Sequence, residues 1–183
     1  TETHAAFLQI KSIVPQVLCA LDWSKIDTGS ERLFLFTDAS IEGNGGWLGQ
    51  GATSRTARPF RFCSAKWNSA QRNYSTTDQE LHAVVDCTST FREDLVGRRF
   101  TVVSDHLPLK TYWEQPLKQT CRHVRYWEHL SGFDFDWEFI PGKSNDLADS
   151  LSRLAEIEDL PEDATPPFAR DFDVPDDGSS PFI

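Results

Sequence analysis

An α/β fold is the class this chain predicts: a five-stranded mixed sheet with helices on both faces. Three observations carry the prediction. Short strand-like runs joined by turn residues come first, a helical stripe leads into a fully apolar strand, and an alternating aromatic–acidic run precedes a last helix. Taken in order, Leu33–Thr37, Gly46–Gln50 and Pro59–Ala65 read as an antiparallel meander, with Gly43-Asn-Gly-Gly46 as a turn. Ser75-Thr-Thr-Asp78 offers a capping-box-like helix start. Leu81, Val84, Val85, Phe91 and Leu95 form its apolar stripe, and Gly97 is its stop. Phe100–Ser104 is apolar throughout, which predicts a central strand parallel to the first. Helices are expected over Pro108–Trp113 and Thr120–Leu130, the second with Val124, Trp127 and Leu130 on one face. Phe133-Asp-Phe-Asp-Trp-Glu-Phe139 alternates without a slip and predicts a half-buried strand with its aromatics inward. Pro141–Asn145 reads as a turn and helix cap, with Asp149 on the helix that follows.

The chain divides into residues 1–30, a dense pattern over 31–154, and an acidic, Pro-containing flexible tail or linker over 155–183. Phe7, Ile10, Ile13 and Val14 give the first segment a short amphipathic stretch that ends at Pro15. With 183 residues and 39% apolar content, the chain can bury a sizeable core. No apolar run approaches the roughly 18 residues of a membrane span and no signal-peptide pattern is present, so no membrane partner is expected. The absence of methionine, position 1 included, makes a piece of something longer the expectation. Cys19, Cys63, Cys87 and Cys121 form no CxxC pair and read as buried thiols in a reducing compartment. The net charge of −10 sits mostly in the tail, where nine acids face one base, leaving 19 acids against 17 bases in residues 1–154. A polyanionic partner therefore stays open.

The chemistry rests on carboxylates at the ends of elements. Phe34-Leu-Phe-Thr-Asp38 and Phe100-Thr-Val-Val-Ser-Asp105 are strands that finish on an acid, which is costly at a sheet edge unless a cation or donor meets it. Glu80 lies near the start of the predicted helix and Asp149 on the last one. All four can point at one sheet edge. Such an oxygen-rich group is viable around two divalent cations, Mg²⁺ or Mn²⁺. Any one of these acids alone is more simply read as a solvated charge or a helix cap.

Asp38-Ala-Ser, Ala70-Gln-Arg-Asn-Tyr-Ser-Thr-Thr-Asp-Gln-Glu80-Leu, Phe91-Arg, Ser104-Asp-His-Leu-Pro-Leu109 and Pro141-Gly-Lys-Ser-Asn-Asp-Leu-Ala-Asp-Ser-Leu-Ser-Arg153 stand in one order. Together they resemble the ribonuclease H domain of gypsy-type LTR-retrotransposon reverse transcriptases. The resemblance implies a ribonuclease H-like fold over 31–154 and, for 1–30, the segment connecting to the polymerase portion. It implies a metal-dependent endoribonuclease that cuts the RNA strand of RNA/DNA hybrids during reverse transcription, leaving 5′-phosphate and 3′-hydroxyl ends. Asp38, Glu80, Asp105 and Asp149 would be the catalytic, metal-binding acids for two Mg²⁺ ions, with Mn²⁺ as a substitute. The implied partners are the hybrid and the polymerase portion, and the implied location is a cytoplasmic virus-like particle or the nucleus.

Ser75, Thr76 and Thr77 are placed either to contact the hybrid's minor groove or to cap the helix, and Asn145 either caps its helix or donates at the site. Arg72 and Lys143 flank Glu80 and Asp149 in sequence and are the candidate phosphate contacts, against an ordinary solvated surface. His106 beside Asp105 reads as structural before catalytic. Phe139 occupies the position where many ribonucleases H carry a His and gypsy-type enzymes commonly a Tyr, and it cannot transfer a proton. A catalytically silent connector or domesticated binding module of the same fold is the competing reading. Retention of all four acids argues against it, because an unpaired buried carboxylate only destabilises a fold.

Overall fold

The computed structural model describes residues 18–109 and 121–156. The expected helix over Pro108–Trp113 lies outside them from residue 110, as do the amphipathic stretch before residue 18 and the tail beyond 156. Among the described residues no helix is long and apolar enough to cross a membrane.

The elements are α1 (Trp23–Asp27), β1 (Arg32–Ala39), β2 (Gly43–Gly51), β3 (Arg58–Lys66), α2 (Thr76–Thr90), α3 (Arg92–Leu95), β4 (Arg99–Ser104), α4 (Cys121–Leu130), β5 (Asp134–Phe139) and α5 (Asp146–Ser152). Five strands form one sheet in the order β3-β2-β1-β4-β5. The β1–β2 and β2–β3 pairs are antiparallel, as a meander requires, while β1–β4 and β4–β5 are parallel. The apolar run through Val102 and Val103 therefore lies inside the sheet, covered on both sides.

Side-chain alternation along β1 divides the core. Leu33 and Leu35 face α2, where Leu81, Val84 and Val85 close the larger cluster, joined by Leu130 of α4. Each such aliphatic side chain contributes about 1.5–3 kcal/mol by leaving water. Phe34 and Phe36 face the opposite way and meet Trp47, Val103 and Ala148 of α5. Phe36 and Trp47 are level in the β1–β2 register and stack at 3.9 Å.

Several local expectations are corrected. Gly43–Gly46 is not a turn but the start of β2, every residue of which is buried. The bend falls instead at residues 40–42. Glycine is required here by close approach: a Cβ on Gly45 would meet the Ser152 nitrogen and Leu151 carbonyl carbon of α5, and one on Gly46 would meet Cys87 Sγ of α2. The long helix expected to run to Gly97 is split at Phe91, whose backbone (φ −100°, ψ 19°) leaves the helical region between α2 and α3. Leu130 is buried on α4 as expected, but Val124 (40% exposed) and Trp127 (39% exposed) are not, and His123 and Tyr126 share its buried face instead. Polar tethers rotate that helix. His123 Nε2 lies 2.6 Å from Asp78 Oδ1 and the Tyr126 hydroxyl 2.8 Å from His82 Nδ1. The β5 alternation holds for Phe133, Phe135 and Trp137, which pack on the larger cluster. Phe139 is 48% exposed at the last rung of the β4–β5 ladder. Of the cysteines, only Cys87 is buried and Cys121 is exposed.

The Gly45 contact sets an expected outcome. Gly45→Ala should lower unfolding stability by about 1–3 kcal/mol, since helix backbone cannot step aside as a flexible side chain would. Urea denaturation measures it, and an unchanged midpoint would show that α5 does not lie against β2.

Candidate metal-binding carboxylate site

The β1–β4 ladder pairs Phe36 with Val103, and continuing that register by two residues sets Asp38 level with Asp105. Two carboxylates at the carboxyl ends of adjacent parallel strands therefore share one edge of the sheet, the position where open α/β sheets commonly hold ligands. Glu80, the fifth residue of α2, reaches the same edge from the helix face. Asp38, Glu80 and Asp105 each bring one carboxylate oxygen to within 4.8 Å of the others.

Burial and mutual repulsion set the electrostatics of the group. Asp38 is 7% exposed and Glu80 5%. Burial, then the negative charges of Asp38 and Asp105, push the Glu80 carboxyl up to about 9, against the Ala39 N–H that stabilises its ionised form. Burial pushes Asp38 up to about 6, the Ser152 hydroxyl opposes it, and the Asp105 and Asp149 charges add to it. Glu80 Oε2 is buried with no hydrogen-bond partner. An orphaned acceptor among converging acids fits a hard divalent cation by both charge and donor type.

Asp149 stands apart from that trio. It sits in the first turn of α5, half-exposed, where the Arg153 guanidinium donates to its Oδ1 at 2.8 and 2.9 Å. Its charge is nevertheless felt at Asp38. The chain thus brings three of the four expected acids within one ion's reach and holds the fourth at the rim by an i,i+4 ion pair. Such an exposed pair is worth only about 0.3–0.5 kcal/mol, so little opposes its redirection.

The remaining expected residues have definite places. Ser75 caps α2, its hydroxyl accepting from the Asp78 N–H at 3.2 Å, and Thr76 is the first residue of that helix. Thr77 Oγ1 lies 3.0 Å from His106 Nε2, which gives His106 a structural partner, and burial lowers the His106 pKa. Arg72 is engaged by Glu42 at 2.9 Å, while Lys143 is exposed in the 3-10 turn Gly142–Ser144. Asn145 occupies the cap position of α5 without a side-chain cap bond. Its amide donates instead to the Thr37 carbonyl at 3.0 Å, stitching the turn to β1 beside Asp38.

Sequence reasoning missed Ser152, whose buried hydroxyl donates to Asp38 Oδ2 at 2.7 Å. It missed equally Ser40 and Ser64, whose hydroxyls donate to the Ser152 and Leu151 carbonyls at 2.9 and 2.8 Å. These bonds clamp the end of α5 onto β1 and β3. The only available signal was Ser152 in Ser150-Leu-Ser152-Arg153, and serines mid-helix normally read as surface.

Comparison with known proteins bears on the family and the fold. A family model described as an RNase H-like domain found in reverse transcriptase matches residues 28–133. The chain is 35% identical over 163 residues, 87% of its length, to the Retrovirus-related Pol polyprotein from transposon 297 of Drosophila melanogaster. It is 33% identical over the same length to that from transposon 412. It spans only 14% and 12% of those polyproteins. Among solved structures, RNase H1 from the archaeon Halobacterium salinarum aligns with TM-score 0.50 at 12% identity, covering 69% of this chain and 96% of that one. A foamy viral protease-reverse transcriptase in complex with double-stranded DNA aligns with TM-score 0.55 at 14% identity, covering 76% and 24%. At these identities the structural likeness speaks for the fold alone.

The raised carboxyls imply a pH dependence. Glu80 binds its proton more tightly when folded, with a value of about 9 against 4.5, so the folded chain holds the extra proton across that window. Metal-free stability therefore falls as pH rises, by at most about 1.4 kcal/mol per pH unit. His129, pushed down to about 4 by burial and by Arg92, opposes this slope only below about pH 6.5. In EDTA the melting temperature should drop between pH 7 and pH 8.5, and Glu80→Gln should remove most of that drop.

Proposed function

Because this chain belongs to the family of RNase H-like domains found in reverse transcriptase, in its gypsy-type retrotransposon branch, we propose that it is a metal-dependent endoribonuclease. Its substrate is the RNA strand of an RNA/DNA hybrid formed during reverse transcription, and the products carry 5′-phosphate and 3′-hydroxyl ends. One observation carries the reading: Asp38, Glu80 and Asp105 converge at the sheet edge with a buried, partnerless Glu80 oxygen.

Asp38, Glu80 and Asp105 would hold the divalent ions, with Asp149 joining them on leaving Arg153. When bound, Mg²⁺ or Mn²⁺ supplies Lewis-acid activation of water and stabilisation of the developing charge at phosphorus and on the leaving oxygen. The chain's own groups then have separate tasks. The Ser152 hydroxyl fixes the Asp38 carboxylate. Arg153, released from Asp149, and Lys143 in the adjacent turn are the cations nearest in sequence to the last acid and suit phosphate contact. Arg72 can take that role only by giving up Glu42. Discrimination for RNA requires reading 2′-hydroxyls in the wide minor groove, a contact for which exposed Thr76 at the start of α2 is the candidate. The polymerase portion of the polyprotein is the proposed partner that shares the hybrid. The silent-module reading is disfavoured by the cost of Glu80: a buried acid kept among other acids is a liability without an ion.

Cleavage of a labelled hybrid by the purified chain is expected with Mg²⁺ or Mn²⁺ and absent in EDTA. Asp38→Asn should reduce it to background while the circular dichroism spectrum stays unchanged. Undiminished RNA degradation by that variant would remove the site assignment.

A further inference from the structure

The 3-10 turn Gly142–Ser144 connects β5 to α5 directly over the end of β4. Gly142 begins the turn, and its φ is not positive, so backbone conformation does not call for glycine there. Space does. A Cβ at position 142 would lie 2.7 Å from Asp105 Oδ2 and 3.8 Å from Asp105 Cγ, and among the described residues these are the atoms it meets within 4 Å, chain neighbours aside. The Asp105 carboxylate therefore rests against bare backbone.

The turn has little freedom to withdraw. Before it, the Ile140 N–H donates to the Ser104 carbonyl at 3.1 Å, immediately ahead of Asp105. Within it, the Ser144 N–H donates to Pro141 and the Asn145 N–H to Gly142, at 2.7 and 2.9 Å. After it, the buried Asn145 amide is tied to the Thr37 carbonyl of β1. Backbone held at both ends stays, whereas a carboxylate at the tip of a side chain can rotate about two dihedrals.

We propose that Gly142 is a positioning residue for Asp105: its missing side chain is the space that lets the Asp105 carboxylate reach Asp38 and Glu80, and any Cβ there swings it away. The inference rests on the proposed function for its consequence, since the reach matters only if the three acids share an ion. It assigns to the turn a second duty beside linking β5 to α5, namely setting the position of an acid 37 residues earlier in the chain.

The test compares the wild-type chain with Gly142→Ala, using Mn²⁺ alone as the probe in calorimetric titration and hybrid cleavage as the second readout. Mn²⁺ affinity should fall about 10- to 100-fold in the variant, the range typical when a ligand loses its outer support. The Mn²⁺ concentration for half-maximal cleavage should rise in step, with KM for the hybrid unchanged. The melting temperature in EDTA should stay near that of the wild type, because the displaced group is a side-chain tip. Should Gly142→Ala prove destabilised, Asp105→Gly in the same chain must restore its melting temperature, since the clash is with that carboxylate. Failure to restore it overturns the inference. Unchanged Mn²⁺ affinity in Gly142→Ala, beside a wild type that binds, overturns this inference alone. A wild-type chain that binds no Mn²⁺ overturns the proposed function and the positioning role with it.

Discussion

Repulsion among three carboxylates at one sheet edge is the constraint on which this molecule's organisation turns. Asp38 and Asp105 are set side by side by the parallel β1–β4 ladder, and Glu80 is driven in from α2. Like charges at this distance in a partly dry setting either take up protons or take up a cation. Among the described residues the ionised forms find little support: the Ser152 hydroxyl on Asp38, and for Glu80 the favourable influence of the Ala39 N–H. Among the described residues, no ion pair joins a basic side chain to the trio. Arg153, whose charge is felt at Asp38, is turned to Asp149. Such an edge favours an external divalent ion over an internal ion pair.

The supporting structure is built to keep that edge rigid. β2 gives up side chains at Gly45 and Gly46 so that α5 can lie on one side and Cys87 of α2 on the other. Both helices that carry acids are thereby pressed onto the same strand. Ser40, Ser64 and Asn145 add hydrogen bonds between α5, the β1–β2 bend, β3 and β1. The two core clusters back these contacts from either face, so the acids are positioned by packed elements rather than by loops.

Much of this architecture is legible in the sequence alone. The five strands, their order of appearance and the parallel relation of the first and fourth followed from short apolar runs and turn residues. The acids at the ends of those strands followed from simple adjacency. What escaped was whatever depends on partners distant in sequence. Gly43–Gly46 looks like a turn because glycine is locally permissive, and only the close approach of α5 makes it a strand. The buried face of α4 was misread because His123 and Tyr126 are polar in isolation, yet Asp78 and His82 supply their bonds. The four-acid set was read as one group, but Arg153, four residues on from Asp149, competes for it. Ser152 could not be recognised at all without its partner 114 residues away.

The clamp of Ser152 on Asp38 has a bearing on how the molecule comes into being. A carboxylate near the beginning of the domain receives its orienting hydroxyl from nearly the last helical residue, so the loop to be closed is almost the whole domain. Long closures of this kind are entropically late events in folding. During synthesis the nascent chain carries its acids without the means to aim them, and a product ending before Ser152 lacks that aim permanently. Assembly of the carboxylate edge is thus deferred to completion of the domain, a timing written into its connectivity rather than imposed from outside.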